Sequence, residues 1–336
     1  MSSWDSIWKP FAIYHSSINV QRYLLHSYQH NGIDDSEKKS FENCYPFIYY
    51  LDHGKSYYEL SKQAPFSIKP ILLFYGMVQL LKACLLTVDP EYPESSTVLA
   101  HGVTTRKRKK RNYDFLKDEV KAQKNGLFSH VAVKMFHVKH NLDSEKFTMD
   151  FLLGRIPELD HLFQVSVDKQ QNYKIAGLDD QTFIIPACIL DDLHMTVDRF
   201  DNFLKEILSF DYQIINKAGT GSKQPNFIEL QVNGSINPND CSPLQFDCFE
   251  NTLHIPTYKE QFLFFPEILT HYLLLYNLSM ISRYETEWWS ELLHGFDSLD
   301  YPFIEQFLSV TAVKVPYLIN QYLQKQNSSK GKGLPM

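Results

Sequence analysis

The run from Ser67 to Thr87 (SIKPILLFYGMVQLLKACLLT) limits most strongly what this chain can fold into. Pro70 suits a first helical turn, and Ser67 just ahead of it can act as an N-cap. From Ile71 to Leu86 the clearly polar side chains are Tyr75, Gln79 and Lys82. They are spaced four and three apart, so they form one narrow stripe on an otherwise apolar helix. Such a helix is stable only where other elements surround it. The stripe has two readings: a solvent-facing edge on which Lys82 snorkels outward, or the lining of an internal groove, where its ammonium needs an anionic partner. A membrane span is disfavoured, because Ile71 to Thr87 covers only about 26 Å at 1.5 Å per residue and carries Lys82 near its end.

The rest of the composition fits a folded, water-facing chain. At 336 residues there is enough sequence for one large or two ordinary domains. Hydrophobic residues at 44% and charged residues at 21% favour neither disorder nor a membrane class. The 24 Phe and 20 Tyr suit thick helix packing and grooves with polar tips. A net charge of -6 argues against a generic nucleic-acid coat, though not against a local basic patch. Cys44, Cys84, Cys188, Cys241 and Cys248 are scattered and form no C-x-x-C, so a reducing compartment is expected, with neither a disulfide framework nor a zinc site. Met1 to Lys9 has no basic start and no apolar core, so no signal peptide is expected and the reading is cytoplasmic.

Along the chain, Ser16 or Ser17 can cap a helix to about Tyr28, broken by Asn31-Gly32. A helix from Ser40 to His53 is expected to stop at Gly54, with a short one from Tyr57 to Lys62 before the central helix. A proline-rich loop over residues 89–96 then delivers Ala100-His101-Gly102 to a run of charge. Tyr113 to Gln123 and Glu145 to Leu153 read as helices, Leu127 to His140 suits helix or strand through Val131-Ala132-Val133 with helix favoured, and Pro157 starts another helix. These make residues 1–163 an all-helical N-terminal domain. Residues 164–257 read as a small α+β insertion, with strands at Tyr173–Ala176, Thr182–Ile185, Tyr212–Ile215, Phe227–Val232, Leu244–Cys248 and Thr252–Ile255 and one helix at Val197–Leu208. Residues 258–326 return to apolar helix and are expected to pack on the N-terminal bundle, with separate helices at Tyr301–Val313 and Pro316–Gln324, and 327–336 is a flexible tail. The fold class is mainly α: a helical bundle with the insertion and a C-terminal helical segment.

One internal echo stands out. Leu72-Leu73-Phe74-Tyr75 through Lys82 lines up with Leu273-Leu274-Leu275-Tyr276 through Arg283, each placing a Tyr seven residues before a base. Seven residues is two helical turns, so each Tyr shares a face with its cation.

The strings Lys39-Ser-Phe-Glu-Asn-Cys-Tyr, Ser67 to Met77, His101 to Lys110 and Tyr276 to Tyr284 together give the chain a resemblance to the YaaC-like family over roughly residues 15–325. That resemblance implies no established activity or catalytic residue. The layout of an aromatic helix carrying a Lys, followed by a loop delivering His-Gly, also resembles HEPN-type helical domains in the first half. Catalytic members of that group cut RNA with an Arg-x4-6-His motif, and Arg155 and His161 have this spacing, although Pro157 interrupts it.

Other constellations carry less chemistry. Arg106-Lys107-Arg108-Lys109-Lys110-Arg111 is six consecutive cations in an acidic chain, able to grip phosphates or to be balanced by Asp114, Asp118 and Glu119. His137 and His140 share a helix spacing but have no Cys or carboxylate pair to complete a metal set. Asp191-Asp192-Leu-His194 reads as a helix-start cluster and Gly219 to Lys223 as a turn, and Glu287 is placed to pair with Arg283. The leading expectation is therefore a non-catalytic binding or regulatory protein that recognises an anionic partner, a nucleotide or a protein. Its ligand-binding set is His101, Arg106 to Arg111, Lys82, Tyr75, Arg283 and Tyr276, with no metal, no cofactor and no membrane. The alternatives are a metal-independent ribonuclease that uses Arg155 and His161 on RNA, and a scaffold that forms a homodimer through the aromatic C-terminal helices.

Overall fold

The computed structural model describes residues 4–105, 113–139, 142–179, 181–216, 226–234, 236–263, 265–295 and 298–328. The chain forms two compact units, Met1–Met149 with His271–Met336, and Asp150–Thr270. Among the described residues it is mainly α, with two antiparallel sheets of three and six strands.

The central helix of the first unit is Lys69–Leu86, N-capped by Ile68 without a side-chain bond rather than by Ser67. By length and composition it would qualify as a membrane span, one residue longer than the sequence suggests, yet 67% of it is buried inside the protein. Leu73, Phe74, Met77, Leu80, Leu81 and Leu85 have no solvent exposure, and each contributes about 1.5–3 kcal/mol by leaving water. The helix is flanked by Ser36–Gln63 and Asp300–Ser328. Its last carbonyls, which no helical N–H can reach, accept from the second helix, Ser17–His30: Tyr28 Oη donates to Leu86 O at 2.7 Å and Ser27 Oγ to Thr87 O at 2.8 Å. Tyr23 Oη donates to Leu323 O at 3.0 Å, tying the C-terminal helix to the same bundle.

Several sequence expectations are corrected here. Gly54 does not end a helix: Ser36–Gln63 is continuous through it. A Cβ on Gly54 would lie 2.7 Å from Leu80, and one on Gly76 2.8 Å from the Tyr58 ring. Both glycines therefore serve the close crossing of two helices. Pro316 likewise lies inside one helix, Asp300–Ser328; proline removes a single backbone bond, and dense packing around Val315, Leu318 and Ile319 holds the axis.

The N-terminal half is not all-helical. Val103–Thr105, Glu119–Ala122 and Lys146–Thr148 form a three-stranded sheet in that order. Val120 and Ala122 point inward and Glu119 and Lys121 partly outward, the two-residue alternation of a strand. No helix forms over Tyr113–Gln123, which carries the strand Glu119–Ala122; the one expected over Glu145–Leu153 shortens to Met149–Leu153, and that over Leu127–His140 ends at Lys134. Past Lys134, His137 adopts a left-handed φ of 52°.

The second unit is built on a six-stranded antiparallel sheet. Its order is Tyr212–Asn216, Phe227–Val232, Thr182–Pro186, Asn172–Gly177, Thr252–Pro256 and Gln245–Asp247. The helix Val197–Ile207 begins at a Thr196 N-cap that accepts from Arg199 N and buries Phe200 and Leu204. All five cysteines are free.

Candidate functional site

In the first unit His101 is held by an unusually close backbone crossing. Gly102 and Gly126 both have left-handed φ, 76° and 122°, and a Cβ on Gly126 would fall 2.4 Å from Gly102 Cα. Only glycine allows that approach. The N-terminus of the helix Leu127–Lys134 then closes on the same loop, with Leu127 N donating to Ala100 O at 2.7 Å and Phe128 N to His101 O at 3.2 Å. Tyr272 Oη, from the helix Glu267–Tyr284, gives the His101 carbonyl a second donor at 2.8 Å. The backbone of His101 is thereby fixed, and its imidazole is left to face the central helix.

Around that ring the two halves of the sequence echo meet. Phe74 lies 5.0 Å away edge-on, Tyr276 5.8 Å and Tyr75 6.0 Å, centroid to centroid. Phe74 also packs edge-on against Tyr272 and Tyr276, so it forms a floor shared by both helices. Tyr57 stacks on the outer side of Tyr75 at 6.2 Å. Arg283 Nη1 reaches Tyr75 Oη at 3.4 Å, its Nε donates to Ser279 O at 3.0 Å, and its guanidinium lies over the rings of Tyr75 and Tyr284. Lys82 Nζ lies over the Tyr50 ring at 5.7 Å. Tyr75, Gln79 and Lys82 are all half-buried, so the polar stripe lies between the two readings of it.

The electrostatics of the cluster are one-sided. His101 is held below the usual imidazole range first by burial, then by Arg283 and then by Lys82. Burial also pulls the Lys82 ammonium down and pushes the Tyr276 phenol up, the latter against the pull of Arg283. Among the described residues neither Lys82 nor Arg283 has a carboxylate within 4.0 Å, and the expected Arg283–Glu287 pair is not formed. The result is a half-buried aromatic cluster around His101, with the Arg283 guanidinium against Tyr75 and the Lys82 ammonium over Tyr50.

The other sequence candidates lie elsewhere. Arg106 to Arg111, Gly219 to Lys223, His140 and the tail from residue 329 fall outside the described residues. Of the acids that follow the basic run, Asp114 pairs with Lys117 at 2.7 Å, Glu119 with Lys146 at 3.1 Å, and Asp118 accepts from Tyr113 and Asn277. In the second unit Arg155 and His161 occupy opposite environments. Arg155 is 2% exposed in the turn after Met149–Leu153, and its Nη1 and Nη2 donate to the carbonyls of Gln261 and Phe265 at 2.7 and 2.8 Å. His161 is exposed on the helix Asp160–Val167. Asp191 and Asp192 lie in the helix Ile189–Asp192, where Asp192 accepts from Tyr173 Oη at 2.7 Å.

The sequence reading missed Phe74, Tyr272 and Tyr57, which look like any other core aromatics, and Gly126, whose partner lies 24 positions earlier at Gly102. No curated protein and no solved structure matches the chain significantly. The family model for YaaC-like Protein, however, matches residues 12–323, nearly the whole chain, and the protein therefore belongs to the YaaC-like family.

Proposed function

We propose that this YaaC-like protein is a binding protein whose ligand is a nucleotide-like anion, taken up at the aromatic cluster around His101. The observation that carries the reading is geometric: Arg283 reaches Tyr75 Oη at 3.4 Å across two helices, His101 lies 5.8 and 6.0 Å from the Tyr276 and Tyr75 rings, and neither Arg283 nor the half-buried Lys82 is paired with a carboxylate among the described residues. Partly desolvated cations without a counter-charge are costly, and an incoming phosphate relieves that cost. Tyr75 and Tyr276, with Tyr57 behind, offer the aromatic faces on which a base stacks. This aromatic lining favours a nucleotide over an acidic protein segment, and the six cations Arg106 to Arg111 begin five positions after His101 in the sequence.

The test is a titration of the full chain with a fluorescent adenine nucleotide, repeated with inorganic phosphate alone. Lys82→Met and Arg283→Met should each weaken nucleotide binding about 10- to 100-fold, since a hydrogen bond to a charged group contributes about 1.5–3 kcal/mol. Affinities unchanged in both variants would refute the site. The ribonuclease reading gains no support from Arg155, whose guanidinium is enclosed and occupied by backbone carbonyls.

A further inference from the structure

The second unit carries a cluster with the opposite charge imbalance. On the paired strands Gln245–Asp247 and Thr252–Pro256, Gln245 faces His254 and Asp247 faces Thr252, so these four side chains share one face of the sheet. Asn172, on the next strand, is partnered with Pro256 and belongs to the same face. The 3-10 turn Pro157–Leu159 and the start of Asp160–Val167 bring two more acids to this layer. Glu158 Oε1 accepts from Cys248 N at 3.0 Å, and Asp160 Oδ1 accepts from Asn172 Nδ2 at 2.9 Å. Asp160 Oδ2 lies 4.0 Å from His254 Nδ1.

Within this layer a carboxylate oxygen from each of Asp247 and Glu250 and a ring nitrogen of His254 all lie within 4.8 Å of one another. Asp247 Oδ1 is occupied by the N–H groups of Phe249 and Glu250, at 2.8 and 2.9 Å, a turn that folds Glu250 back over Asp247 and leaves Oδ2 free of them. Glu250 Oε2 holds Lys174 Nζ at 2.7 Å, leaving Oε1. A second, independent observation comes from Gln245. It is 1% exposed, sits directly opposite His254, and neither its Oε1 nor its Nε2 has a hydrogen-bond partner. The buried Oδ1 of Asn172 is also without one. Buried amides are almost always satisfied, so polar atoms left open on the face that carries three metal-ligating side chains point to an occupant.

We propose that Asp247, Glu250 and His254 bind a divalent transition-metal ion, with Asp160 orienting the imidazole and Gln245 hydrogen-bonded to an ion-bound water. The donor set selects the class of ion. Calcium and magnesium take oxygen ligands, whereas an imidazole with two carboxylates suits zinc or manganese. Asp160 Oδ2 stands 4.0 Å from Nδ1 and Thr252 Oγ1 3.3 Å from Nε2; with the metal on Nε2 in place of the Thr252 contact, Asp160 closes on the Nδ1 proton, the usual outer-shell arrangement.

The experiment uses the full chain, stripped with chelator and dialysed, then titrated with Zn²⁺ and separately with Mn²⁺ while bound metal and melting temperature are measured. One equivalent of at least one of these ions should bind saturably and raise the melting temperature, and Ca²⁺ at the same concentration should not displace it. Asp247→Asn, whose amide oxygen can still accept the two backbone N–H groups, and Glu250→Gln, at an exposed position, should each weaken binding at least tenfold. No saturable binding of either ion, displacement by Ca²⁺, or binding that persists unchanged in the variants would overturn the proposal. If Asp247→Asn does not fold, Glu250→Gln alone decides.

Discussion

Replacing Arg155 by Met tests whether this residue builds the second unit or does chemistry. Its two terminal nitrogens serve the carbonyls of Gln261 and Phe265 at 2.7 and 2.8 Å, more than 100 residues away in sequence. Methionine fills much of the volume but leaves both carbonyls buried and unpaired, at about 1–3 kcal/mol each. It also withdraws the positive charge that Glu267 feels. Against this, removing the guanidinium relieves its own desolvation, which pulls it down to about 10, an effect on the order of 3 kcal/mol. Breaking a buried charged arrangement by deleting one partner generally leaves a net loss, and about 3 kcal/mol is expected here. With a urea dependence of about 2–3 kcal/mol per molar, the midpoint of the second unit should fall by roughly 1 M. All four tryptophans, Trp4, Trp8, Trp288 and Trp289, lie in the first unit, so fluorescence is the wrong probe. Hydrogen exchange of peptides covering 150–180 and 240–270 reads the correct region. Arg155→Lys, which keeps the charge but lacks the fork, should fall between wild type and Met. Wild-type exchange and an unshifted midpoint in Arg155→Met would refute the structural role.

Three further outcomes follow from the first unit. The His101 imidazole should titrate below the usual range by NMR. Because the folded state resists its protonation, its contribution to stability is present above the unfolded value of about 6.5 and lost as pH falls through the folded one; the slope in that window should flatten in His101→Phe. Gly126→Ala puts a methyl 2.4 Å from Gly102 backbone at a φ of 122°, so a loss of about 3 kcal/mol or more in chemical denaturation is expected, with weakened nucleotide binding as His101 shifts. Gly76→Ala drives a Cβ to 2.8 Å from the fully buried Tyr58 ring and should cost about 1–3 kcal/mol by overpacking, read as a lower melting temperature.

What the sequence revealed of this molecule follows the range of the interactions involved. The central helix is encoded in its own spacing, which places it, whereas the rings its cations meet are not: Arg283 reaches Tyr75 on the other helix and Lys82 lies over Tyr50. The small sheet was illegible because three strands of three or four residues are shorter than the window in which a two-residue alternation separates from a helical one. Gly54 signals a helix end and a helix crossing with the same letter, and only Leu80 against it distinguishes the two. Arg155 and His161 match a spacing, but whether a guanidinium faces a substrate or a pair of carbonyls is decided by residues near 261–265, which no local pattern reaches.

The lowered proton affinity of His101 bears on what this cluster can select. Two cations already act on this ring, so a third positive charge is unfavourable until something negative arrives. An anion near Lys82 and Arg283 reverses the sign of the local field and favours protonation of His101, so binding and proton uptake are linked. A neutral aromatic ligand gains the Tyr75 and Tyr276 faces but leaves that field unchanged. Proton uptake on binding therefore separates a phosphate-bearing ligand from a merely aromatic one at the same site. It is read by titrating the nucleotide calorimetrically in buffers of different ionisation enthalpy: a heat independent of buffer would place the anion away from His101, even if Lys82→Met and Arg283→Met both weakened binding.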